Sequence, residues 1–123
     1  MSMQAMTRGL VRSLAILILT VAPNAAAAAV VLKLGDILIA EPAAASISVV
    51  DAATGVKTVI SQGGLLEPAH STVGVALARD GDVLVVNRLR GLIRVNPVTG
   101  EQSVLSEGGQ FRDPWAIAVD RNT

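Results

Sequence analysis

Apolar residues in this chain come in short runs broken by turn residues, a spacing that suits strands and not helices. In one representative stretch the runs read "VALAR", "DVLVVN", "GLIRVN" and "EQSVLS", within Val75–Ser106. Each is bounded by Gly, Pro, Asn or Asp, so the pattern predicts four short β-strands joined by tight turns. "RDGD" supplies an Asp-Gly hairpin turn between the first two. "NPVTG" supplies a second turn, in which Pro97 fixes φ and Gly100 permits a left-handed exit. The inner runs are almost continuously apolar and the last is more polar. That gradient fits a sheet packed between two neighbours with its outer strand at an edge.

The same pattern is written more than once. "VVDAATGVKTVISQGG" (Val49–Gly64) matches "RVNPVTGEQSVLSEGG" (Arg94–Gly109), turn and closing Gly-Gly included. Upstream, Gly35-Asp36 falls on Gly81-Asp82 and Ile37-Leu38-Ile39 on Val83-Leu84-Val85. Downstream, "FRDPWAIAVDRNT" begins a third copy by echoing "LLEPAHSTVGVALARDG". A repeat of about 45 residues with four strands is the size of one propeller blade. The expected fold class is therefore all-β: a β-propeller segment of about two four-stranded blades plus the first strand of a third. Blade 1 is expected at about 29–67, blade 2 at about 68–113 and the start of blade 3 at 114–123. Gly55 and Gly100 occupy the same place in the repeat, so both are expected at positive φ. Gly108-Gly109 and Pro114 are expected to turn the chain from one blade into the next.

Composition narrows the function classes. The 123 residues are one domain's worth at most, and formal net charge is zero. No basic footprint points to nucleic acid or an anionic membrane. The chain has one Trp, one Phe and no Tyr, which disfavours stacking of single-stranded nucleic acid. Absence of cysteine excludes a disulfide framework and a thiolate metal site.

The N-terminus reads as an address. "MSMQAMTRGLVR" carries Arg8 and Arg12 and no acid, "SLAILILTVA" is a short apolar core, and "PNAAAAA" brings breakers and small residues. Residues 1–28 are thus expected to be a secretory signal peptide, cleaved among Ala27–Ala29, leaving a secreted or periplasmic protein. The alternative is a membrane anchor, because Ser13–Leu32 is uncharged and about twenty residues long. Pro23-Asn24 interrupts that span. In both readings the rest of the chain lies outside the cytoplasm.

"DPWAIAVDRNT", "GDVLVVNR" and "GLIRVNPVTGEQSVLSEGG" resemble the NHL-type repeat of bacterial six-bladed β-propellers, and the likeness covers everything after the signal segment. That repeat runs Pro-x-small-Ile-Ala-Val-Asp, Gly-x-Leu-x-Val, then Ile-x-Arg-Val-Asp-Pro-x-Thr-Gly. Asn87 and Glu41 stand where it usually has Asp. The resemblance implies a blade scaffold that serves binding proteins, streptogramin-lyase-like enzymes and gluconolactonase-like enzymes alike. Gluconolactonase-like propellers hold a divalent cation such as calcium through Glu, Asn and Asp near the channel. By that likeness Glu41 and Asn87, at equivalent ends of second strands, are the candidate ligand-binding residues.

The remaining chemistry is sparse. His70 is the only histidine, which rules out a histidine-based metal cluster. Glu67 and Asp113 each precede a proline, where carboxylates serve local turn chemistry. Arg88, Arg90 and Arg94 form a small basic group in the second copy, read as a solvated strand or, more rarely, an anion contact. Trp115, directly after Pro114, is expected to pack between blades. No Gly-x-Ser-x-Gly elbow occurs. No residue is assigned a catalytic or metal-binding role.

The leading expectation is an exported scaffold that binds a protein or small molecule through its loops. The alternative is a metal-dependent lactonase or lyase with most of its site on blades outside this sequence. Two blades leave apolar flanks uncovered. The sequence is expected to be a piece of a longer propeller or, alternatively, to self-associate and complete a ring; the stop at "VDRNT" favours the former. As an isolated monomer it should be poorly behaved.

One outcome is open to direct test. N-terminal sequencing of the extracytoplasmic protein should find a start within or just after Ala27–Ala29, whereas an intact Met1 in the membrane fraction would establish an anchor.

Overall fold

The computed structural model describes residues 29–122, so the leader and all but the last residue of its expected cleavage region lie outside the described residues. Seven strands follow: β1 (Ile37–Glu41), β2 (Ser46–Val50), β3 (Lys57–Gln62), β4 (Thr72–Leu77), β5 (Val83–Asn87), β6 (Gly91–Val95) and β7 (Gln102–Ser106). They form two antiparallel sheets in sequence order, β1-β2-β3 and β4-β5-β6-β7. The protein is all-β, as the apolar runs predict, with two sheets compatible with part of a propeller. Among the described residues no helix is long and apolar enough to cross a membrane.

The two sheets pack face to face. Ile47, Val49 and Ile60 from the first meet Val83, Val85, Ile93 and Val95 from the second, with Leu66 of the crossover between them. Side chains alternate faces along a strand, which puts alternate residues of each strand on this seam. Each such side chain contributes about 1.5–3 kcal/mol relative to exposure. The face of the second sheet that carries Val86 is also partly covered, which is why β5 reads as an unbroken apolar run.

Strand count departs from expectation in two places. Ala29–Lys33, aligned by the repeat with the end of β4 and the turn after it, forms no strand, so the first sheet has three strands. The Val30 amide instead donates to the Pro97 carbonyl, 3.2 Å away in the β6–β7 turn, and its side chain joins the seam. Pro114–Asn122 runs irregularly, because a strand needs a ladder partner and none lies beside it among the described residues.

The duplicated turns fold alike, atom for atom. Asp51 Oδ1 accepts from the Ala53 and Thr54 amides at 2.8 and 3.1 Å. Asn96 Oδ1 accepts from the Val98 and Thr99 amides at 2.9 and 3.2 Å. The Gly55 amide then donates to the Asp51 carbonyl and the Gly100 amide to the Asn96 carbonyl. Asp and Asn are interchangeable here because either side chain offers the acceptor the turn needs. Gly55 sits at φ 74° and Gly100 at φ 76°, the left-handed conformation expected of both.

Replacing either glycine with Val should destabilise the protein by about 1–3 kcal/mol, the cost of holding a β-branched residue there. A β-carbon at Gly55 meets open space, while one at Gly100 would lie 3.2 Å from the Ile60 carbonyl oxygen. Gly100→Val should therefore show the larger loss of stability in urea titrations followed by circular dichroism.

Candidate functional site

Antiparallel topology gathers four connections at one end of the sheets: Pro42–Ala45, Gly63–Ser71, Arg88–Arg90 and Glu107–Trp115. Backbone hydrogen bonds stitch the first three together. The His70 amide donates to the Pro42 carbonyl at 2.6 Å and the Arg88 amide to the Ser71 carbonyl at 2.8 Å. The Glu67–Pro68 peptide bond in this cluster is cis.

Asn87 closes β5 and is fully buried, with 0 % exposure. Its Nδ2 donates to the Ser71 hydroxyl at 3.0 Å and to the Leu65 and Leu66 carbonyls at 3.3 and 3.4 Å. Its Oδ1 accepts from the Leu89 and Arg90 amides at 2.9 and 3.0 Å. Glu41 closes β1 at the matching position and is half-buried. Its carboxylate accepts from Ser48 Oγ at 2.7 Å, Ser46 Oγ at 3.1 Å and Lys57 Nζ. Lys57, then the Ser48 hydroxyl, pull the Glu41 pKa down to about 2. The two candidate residues thus share a position in the repeat but have no common partner. Each faces its own set of local groups.

The exposed chemistry at this end lies beside them. The Arg88 guanidinium stacks over the Trp115 ring, 4.4 Å from its centroid. Arg88 Nε also donates to Asp113 Oδ1, and Trp115 Nε1 donates to Asp113 Oδ2 at 3.2 Å. The Arg88 pair, and secondarily the indole, hold the Asp113 pKa below the ordinary carboxylate range; the same pair raises that of Arg88. Trp115 stays 60 % exposed and takes no part in the core between the two sheets. The ring lies outside the seam because Arg88 and Asp113 fix it at the surface. Pro68, Ala69, His70, Ser71, Arg88 and Leu89 enclose a shallow hollow of about 220 Å³ nearby. His70 is solvent-exposed, as expected of a lone loop histidine.

The three arginines do not form one group. Arg90 Nε donates to the Glu67 carbonyl at 3.3 Å. Arg94 lies at the opposite end of β6, where Nη1 donates to Asp80 Oδ2 and Asp82 Oδ2 at 2.9 and 3.3 Å. A strand advances about 3.3 Å per residue, so four positions carry Arg94 away from Arg90. Among the described residues, no group of three or more His, Asp and Glu is placed to hold a metal ion. Sequence reasoning missed the Arg88–Asp113–Trp115 unit, whose members lie up to 27 positions apart with no motif linking them. In comparisons with known proteins, no family model, curated protein or solved structure matches the chain.

The depressed Glu41 and Asp51 carboxyls make stability depend on pH. Lys33, then the Thr54 and Ala53 amides, bring Asp51 to about 2. Both groups bind protons more weakly folded than unfolded, so their contribution is complete above their ordinary values of 4.5 and 3.8. It is lost as the pH falls toward about 2. Thermal unfolding followed across that acid window should show falling stability in the wild type and a flatter profile in Glu41→Gln.

Proposed function

We propose that the chain is an exported, NHL-like propeller repeat protein that binds a protein partner through the loop end carrying Trp115. One observation carries the reading: a largely exposed tryptophan held in place by Arg88 and Asp113 on a rigid pair of sheets. Tryptophan and arginine are the side chains most enriched where binding energy concentrates, and a ring already fixed loses little entropy on binding. The neighbouring hollow is smaller than the roughly 300–1,000 Å³ of small-molecule sites. It fits one side chain of a partner better than a cofactor. Leu89, 72 % exposed at its rim, adds apolar contact. The repeat pattern and the turn geometry support the NHL-like blade reading, and the Arg-flanked apolar leader supports export.

The only tryptophan of the chain is its own reporter. Full-length protein and its Trp115→Ala variant are compared for capture from the extracytoplasmic fraction, and each captured protein is titrated against wild-type indole emission. Trp115→Ala and Arg88→Ala should each weaken binding by about 2 kcal/mol, some thirty-fold. Partners that leave the emission unchanged and bind Trp115→Ala equally well would overturn the proposal.

A further inference from the structure

The first sheet has a vacancy at one edge that the second sheet shows how to fill. β1 pairs with β2 on one side and with no strand on the other among the described residues. In the second sheet the equivalent place beside β5 is taken by β4, with Val75 opposite Val85, Ala76 opposite Leu84 and Leu77 opposite Val83. The chain carries a further segment of β4 type: Ile117-Ala118-Val119 matches Val75-Ala76-Leu77 in the repeat. That segment belongs to neither sheet. In its own chain the segment lies along β4 and not beside β1: Arg121 Nη2 donates to the Leu77 carbonyl and Arg79 Nη2 to the Arg121 carbonyl, both at 3.4 Å. Val75 faces the first sheet across the seam. Gly74, on the opposite face of β4, meets the Trp115–Ala116 backbone at 3.3–3.4 Å from where a β-carbon would stand.

The flanks of the two sheets repeat the seam that joins them. Leu38 and Ile47 face the second sheet, and their repeat equivalents, Leu84 and Leu92, lie on its far face. Val83, Val85 and Val95 face the first sheet; their equivalents Ile37, Ile39 and Val50 lie on that sheet's free face. Ile37 is 51 % exposed and Val59, on the same face, 39 %. The free surfaces are thus the two halves of an interface the chain already makes once. A groove of about 430 Å³ runs beside the start of β1, lined by Leu32, Leu34, Leu38 and Leu77 with Lys33, Asp36 and Arg121.

We propose that the chain associates head to tail with a second copy of itself. Ala116–Val119 of one copy adds antiparallel to the free edge of β1 of the next, and the far face of the second sheet packs on the free face of that copy's first sheet. The register follows from the β4–β5 ladder: Ala116 opposite Ala40, Ile117 opposite Ile39, Ala118 opposite Leu38 and Val119 opposite Ile37. Backbone pairing supplies the affinity and the alternating apolar side chains fix the register. The contact is heterologous, so each copy keeps one free donor and one free edge until rotation closes a ring. The inference does not depend on what the Trp115 surface binds.

Because the chain has no cysteine, introduced pairs report on it alone. Ala116→Cys and Ala40→Cys chains, mixed as full-length proteins and oxidised, should cross-link into dimers; so should Ala118→Cys with Leu38→Cys. Ala116→Cys with Ile37→Cys, three residues out of register, should react at least ten-fold more slowly. Light scattering should show mass rising with concentration in the wild type and monomer in Val119→Pro, with far-UV circular dichroism unchanged. If that variant loses the sheet signal, the cross-linking comparison decides alone. A wild-type monomer without inter-chain cross-links, equal reaction in both registers, or association that survives in a folded Val119→Pro would each overturn the proposal.

Discussion

A crossover between two packed sheets must leave one edge, cross the seam and enter the next sheet without leaving its buried peptide groups unpaired. In this protein that constraint falls on Gly63–Ser71, and polar side chains from β4, β5 and β7 answer to it. The Leu66 carbonyl accepts from Thr72 Oγ1 at 2.9 Å, with longer contacts from Ser71 Oγ and Asn87 Nδ2. At the outer edge Gln102 does the corresponding work: Oε1 accepts from the Leu65 amide at 2.6 Å, and Nε2 donates to the Gly63 carbonyl at 3.1 Å and Ser61 Oγ at 2.8 Å. Each unsatisfied group here would cost about 1–3 kcal/mol, comparable with a core methyl cluster. Asn87 and Gln102 therefore align the sheets as much as the apolar seam attracts them.

The same logic explains why one repeat position holds Glu in the first sheet and Asn in the second. At β5 the crossover packs directly over the strand end, and full burial excludes a charge that has no counter-ion. An amide suits the place because it donates to carbonyls and accepts from amides at once. At β1 the strand end is half open, two buried serine hydroxyls point at it, and Lys57 supplies the opposite charge. A carboxylate, which only accepts, fits three donors. Both departures from the Asp of the resembling repeat thus follow from local hydrogen-bond supply.

Much of the fold was legible because it rests on local chemistry. Asp51 and Asn96, each three residues before the threonine of a Thr-Gly pair, mark turns whose acceptor and left-handed glycine lie within five positions. The apolar runs fix the strands and the repeat fixes their order. What escaped depends on long-range company. Ala29–Lys33 reads like the end of an inner strand, but whether it pairs depends on which surface Val30 finds first, and it finds the β6–β7 turn. Arg88, Asp113 and Trp115 meet only because the crossover loops converge, and no spacing rule encodes that. Glu41 and Asn87 were visible as special positions; their partners were not.

The two ends of the sheets differ in a way that bears on where binding is placed. The end carrying Asp51–Val56, Ala78–Asp82 and Asn96–Glu101 consists of short turns closed by their own side chains. Several of its charges are matched, Lys33 with Asp51 and Arg94 with Asp80 and Asp82. The crossover end has longer connections, and beside their internal turn bonds they are cross-linked to one another, His70 to Pro42, Arg88 to Ser71 and Asp113, and Arg90 to Glu67. Long loops ordinarily trade rigidity for reach. Here buried Asn87 holds the Leu89 and Arg90 amides from beneath, the Ser71 carbonyl holds that of Arg88, and Arg88 in turn orients Trp115. A surface group positioned by a fully buried neighbour keeps its geometry without a contribution from the ligand, which is the condition for a small contact to bind tightly. The polar groups that solve the crossover problem thereby also preorganise the one aromatic surface the chain presents.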